Sequence, residues 1–85
     1  MFGLSEGETL GGHTLSPWEY VRLCKSYRVR IKSIFRAPMP PTYYGRLEGR
    51  ESGETLAYLW FDAARVEWVM FSPENATEEL TQAFS

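Results

Sequence analysis

The 85-residue chain is 44% hydrophobic and 15% aromatic, has one cysteine, and carries a formal net charge of −2. That length fits one domain, whose folding hides only roughly 60–65% of the surface its unfolded chain exposes; a single cysteine excludes an internal disulfide. The small net charge conceals a segregated one, because residues 20–50 hold eight cations against the single acid Glu48, while residues 1–19 sum to −3 and residues 51–85 to −6.

Charge divided in this way points to a directed contact, within the fold or with a partner. The start, Met1-Phe2-Gly3-Leu4-Ser5-Glu6, has no basic n-region and no apolar h-region, which argues against a signal peptide. Its apolar stretches fall short of the ~20 residues of a membrane helix, so the expected setting is cytoplasmic, with no membrane partner.

Residues 1–15 contain Gly3, Gly7, Gly11 and Gly12 without helical period, and predict an arm or irregular strand. Residues 16–85 are then the folded domain. Ser16 is the expected N-cap of a helix, Pro17 suits its first position, and Glu19 can complete a capping box. Tyr20, Leu23, Cys24 and Tyr27 recur at the spacing of one helical face, so the helix is expected to run to about residue 26.

Period two begins at Tyr27. Val29, Ile31, Ser33 and Phe35 alternate with Arg28, Arg30, Lys32, Ile34 and Arg36, the pattern of a half-buried strand with a basic outer face. Pro38, Pro40 and Pro41 interrupt it, since proline cannot donate to a strand ladder. A second strand runs from Tyr43 to Arg50 and a turn spans Glu51 to Glu54. Thr55 to Phe61 is apolar on both faces and reads as a central, doubly covered strand. Asp62-Ala63-Ala64 turns the chain into a fourth strand from Val66 to Phe71. Ser72-Pro73-Glu74 is the expected start of a second helix, with Ala76, Leu80, Ala83 and Phe84 as its buried stripe.

The predicted class is therefore α+β: a small antiparallel four-stranded sheet, flat or curled into a barrel, flanked by an N-terminal and a C-terminal helix. Gly45-Arg46-Leu47-Glu48-Gly49 resembles part of the first signature of the Sm-like RNA-binding barrels, which also place a helix before bent strands. The likeness covers five residues. Arg50-Glu51 departs from the acidic or aromatic residues that come next in that family, and Ala63-Ala64-Arg65 stands near where its later glycine-containing signature falls. The resemblance implies no more than an SH3/Sm-like, partly closed barrel, since fold does not carry function.

Chemistry is sparse. His13 is the only histidine and Cys24 the only cysteine, too few for a zinc site, and no glycine loop opens a helix to hold phosphate. The expectation is a protein without cofactor or metal and without catalysis. Two features suit binding instead. Arg28, Arg30 and Lys32, with Arg36, Arg46 and Arg50, form a basic stripe; Tyr58, Trp60 and Trp68 exceed what one sheet face buries alone. We therefore expect a protein-binding module, an accessory subunit, regulator or inhibitor of a larger complex, of the kind common among phage or mobile-element products, contacting its partner through these residues. The alternative is a nucleic-acid binder that sets the same cations on phosphates and stacks Tyr43 or Tyr44 on bases. Self-association through the strand faces is a third route.

Overall fold

The computed structural model describes residues 12–85. Five antiparallel strands, β1 (Gly12–Leu15), β2 (Arg28–Ile34), β3 (Thr42–Glu48), β4 (Thr55–Asp62) and β5 (Glu67–Phe71), form one sheet in the order β1-β5-β4-β3-β2. Helix α1 (Pro17–Ser26) lies between β1 and β2 in sequence; after β5 come a 3-10 turn (Pro73–Asn75) and the short helix α2 (Glu78–Gln82). The α+β class stands, but neither a four-strand count nor a partly closed barrel describes this arrangement. The fifth strand arises from the end of the predicted arm; the rest of that arm, residues 1–11, lies outside the described residues.

The first helix forms as its caps dictate. Ser16 Oγ accepts from the Glu19 amide at 3.1 Å, and Glu19 Oε1 accepts from the Ser16 amide at 2.9 Å, closing the capping box around Pro17. At the other end Arg50 donates to the Cys24 carbonyl at 3.2 Å, placing a cation where helix carbonyls are free. Ten residues of α1 span ~15 Å, while four strand spacings measure ~19 Å. β1 and β2 are the two edges of the sheet, so α1 together with its connections carries the chain from one edge to the other and packs against both edge strands.

Strand pairing then sorts the side chains. Leu15, Leu47, Ala57, Leu59, Trp68 and Met70 share the face under α1, where Leu59 is fully buried and the Tyr20 and Trp68 rings stack with centroids 5.4 Å apart. Tyr44, Val69 and Phe71 face the opposite way and pack with Leu80 and Ala83, with Tyr58, Trp60, Ala76 and Phe84 around them. Each helix thus covers its own face, which is how a small domain buries two-sided strands. The central position of β4 agrees with the prediction from its apolar faces.

The C-terminal helix begins later than Ser72-Pro73 suggested. Ser72 precedes only the 3-10 turn; the α-helical cap is Thr77, whose Oγ1 accepts from the Leu80 amide at 3.2 Å. The predicted stripe nevertheless reaches the core, since Leu80 and Ala83 are buried and Ala76 and Phe84 pack beside them.

Candidate protein-docking surface

Arg28, Arg30 and Lys32 of the basic stripe lie on β2, an edge strand that among the described residues pairs with β3 alone. Arg28, Arg30 and Lys32 point to the α2 side, because their β3 partners are Glu48, Arg46 and the buried Tyr44. The predicted division into a buried apolar face and a basic outer face does not hold here. Ile34, expected outside, packs against the α2-side core. Ile31, expected inside, is 48% exposed. An edge strand is covered less than a central one on both faces, and the corner at Ile31, Ser33 and Tyr43 is open. Tyr43 is 41% exposed there and meets Phe61 edge-on, with centroids 6.5 Å apart.

Glu48 organises the cations. Its side chain is only 3% exposed, and it accepts from Arg46 Nε at 2.6 Å while Arg30 Nε lies 3.3 Å from its other oxygen. Burial alone pushes this carboxyl up; the Arg46 hydrogen bond and the charges of Arg30, Arg46 and Arg28 outweigh it and hold the pKa below the ordinary 4.5. One carboxylate thus serves two guanidiniums that the register sets directly opposite each other. The Arg46 guanidinium also lies 5.9 Å from the Phe84 ring centroid. Arg28, Lys32 and Arg36 make no ion pair among the described residues. The stripe therefore keeps a net positive charge after its internal pairing is counted.

The other sequence-derived positions separate. Tyr44 is buried at 5% exposure and donates to Glu79 across the core; burial first, then that carboxylate, raises its pKa to about 12. Its ring is not available to a partner. Tyr58 and Trp60 are half-buried on the α2 side, Trp68 stacks under Tyr20, and Arg50 caps α1. The exposed positions consequently fall on the two sides of one edge strand: Arg28, Arg30 and Lys32 with Arg46 on the α2 side, and Tyr43 with exposed Ile31 on the α1 side, with exposed Phe35 and Met39 following β2 in the chain. Period two assigns Ile31 and Phe35 to the inward face, whereas both are exposed. A strand with cations at alternate positions is itself an edge signal, since charge is a common guard on free strand edges.

A second concavity of about 720 Å³ lies between β1, the start of α1 and the β4–β5 turn, lined by Tyr20, Val21, Val66 and Trp68 among others. Glu19, Arg65 and Glu67 also line it. Elsewhere His13 lies 3.6 Å from Glu19, and Asp62 Oδ1 accepts from the Ala64 amide at 3.1 Å. Among the described residues, no cluster of three metal-ligating side chains occurs and no helix is long and apolar enough to cross a membrane. Comparison with protein families, curated proteins and solved structures finds no match to this chain.

Proposed function

We propose that the protein is a non-catalytic binding module that docks another protein through the β2 edge and the open corner beside it. The observation that carries this reading is that one edge strand presents unmatched cations on one face and exposed apolar side chains, Ile31 and its neighbour Tyr43 above all, on the other, both within reach of a partner docked along the edge. Charge of that kind steers encounter, and an aromatic or aliphatic anchor supplies affinity. An accessory, regulatory or inhibitory role in a larger complex is the natural use of binding without chemistry.

Nucleic acid remains the second reading because Arg30, Lys32 and Arg46 line one groove of about 490 Å³. Two observations favour protein. Glu48 places a carboxylate in the middle of the cations, and the accessible ring of Tyr43 projects from the opposite face of the sheet to them. A single strand would have to reach both faces to use phosphate contacts and stacking together.

The test is affinity purification of the tagged protein from its native host, with and without nuclease. A partner that survives nuclease in fixed ratio, and is lost when Arg28 and Lys32 are both replaced by Glu, supports the reading. Recovery of nucleic acid, with all protein lost on digestion, contradicts it.

A further inference from the structure

We infer that β2 accepts an acidic, extended segment of the partner as a sixth strand of the sheet. This rests on the protein-binding reading above and specifies the chemistry of its ligand. The first ground is the backbone. β2 runs for seven residues at the sheet margin and contains neither proline nor a register shift, the one irregularity lying between β3 and β4 at Leu47/Glu48. Its outward N–H and C=O groups therefore form a continuous row, the template used in strand addition. The other edge, β1, is only four residues long.

The second ground is charge. Two copies of β2 paired about a two-fold axis would set Arg28, Arg30 and Lys32 opposite one another at roughly 5 Å between Cβ atoms. The cations thus oppose a second copy, whereas an acidic strand reverses the sign of every cross-strand contact. Nucleic acid has no peptide groups to continue the ladder.

The pairing state of each cation fixes a pattern in the ligand. Arg30 already meets Glu48, while Arg28 and Lys32 have no ion pair among the described residues. These two unmatched cations stand four residues apart, or ~13 Å along a strand. The complementary segment carries acids at positions i and i+4. Its residues at i+1 and i+3 point to the opposite face, beside Val29 and exposed Ile31, and are apolar. Position i+2 faces Arg30 and is less constrained.

The experiment is an NMR titration of the full 85-residue chain with a synthetic peptide of alternating Glu and Val. The comparison peptides are its Lys–Val counterpart and a Glu–Val peptide N-methylated at every second amide. Slowed amide exchange at alternate β2 residues is expected with the Glu–Val peptide alone. Binding should weaken at least about tenfold in high salt, where the screening length falls to ~3 Å, and similarly in Arg28→Glu/Lys32→Glu. An unchanged spectrum outside β2 would verify that this variant folds.

Protection elsewhere, equal binding of the N-methylated peptide, or a dimer formed through β2 would overturn the inference. If no peptide protects β2 while a nuclease-resistant partner is still lost from the double variant, strand addition fails and the docking surface stands. Loss of both results removes the surface as well.

Discussion

Leu59 is fully buried because the residue facing it across the strand pair, Gly45, has no side chain. A Cβ added at Gly45 would lie 3.0 Å from both Cβ and Cδ1 of Leu59 and 3.3 Å from Cδ1 of Ile31. Gly45→Ala should therefore destabilise the fold by about 1–3 kcal/mol, the usual range for overpacking, as read by urea unfolding; an unchanged midpoint would mean the strands part at no cost. Val66 shows the opposite case. It has φ 57° and is 74% exposed, so a β-branched residue holds a left-handed conformation without burial in return. Val66→Gly should raise stability by about 0.5–1 kcal/mol, relief of that strain outweighing glycine's entropy.

Glu48 gives the residue scale its pH dependence. Its folded pKa is depressed below 4.5, so its contribution is fully present above that value and is lost as pH falls through the lowered one. Glu19, held low chiefly by the Ser16 backbone hydrogen bond, acts in the same window. Glu48→Gln should lower the thermal midpoint at neutral pH by leaving Arg30 and Arg46 opposed, and should flatten the acid limb of the stability profile. An acid limb identical to wild type would show that the cluster contributes nothing.

At the scale of elements, local and distant causes separate clearly. The α1 start was legible because a capping box is written in four residues, Ser16 to Glu19. β1 was legible only as one of two alternatives, an arm or an irregular strand over residues 1–15: Gly12-His13-Thr14-Leu15 is too short to display a period and becomes a strand by pairing with β5, more than fifty residues on. The α2 start was displaced for a related reason. Ser72-Pro73 and Thr77 both suit a helix start, and only packing against the sheet selects Thr77. Five residues cannot sustain a helix unaided. Thr77→Ala should cost about 1 kcal/mol, and Leu80→Ala about 2–5 kcal/mol. If chemical denaturation found the two equal, the cap and not the burial of Leu80 would be holding α2.

On the scale of the whole molecule, charge segregation becomes a location. Part of the positive excess between residues 20 and 50 is absorbed by Glu48, and one further cation, Arg50, caps α1. Of the remainder, Arg22 and Lys25 lie on α1, and Arg28, Lys32 and Arg36 lie on or just past the β2 edge. Segregation itself was visible in the sequence, as was the β2 stripe. The edge position of that stripe was signalled only by its alternating cations, because strand order depends on long-range pairing, and Ile31, which its period assigns inward, lies exposed beside the expected contact residue Tyr43. The aromatic excess proved largely internal: two faces, each roofed by a helix, consume Tyr58, Trp60 and Trp68.

The most direct test of the β2 edge as the docking surface compares association rates of the purified partner with wild-type protein and with Arg28→Glu/Lys32→Glu across a salt series. The account predicts association at least about tenfold slower for the variant at low salt, with the two rates converging as ionic strength rises. Equal rates and an equal salt dependence, in a variant that retains its fold, would contradict it.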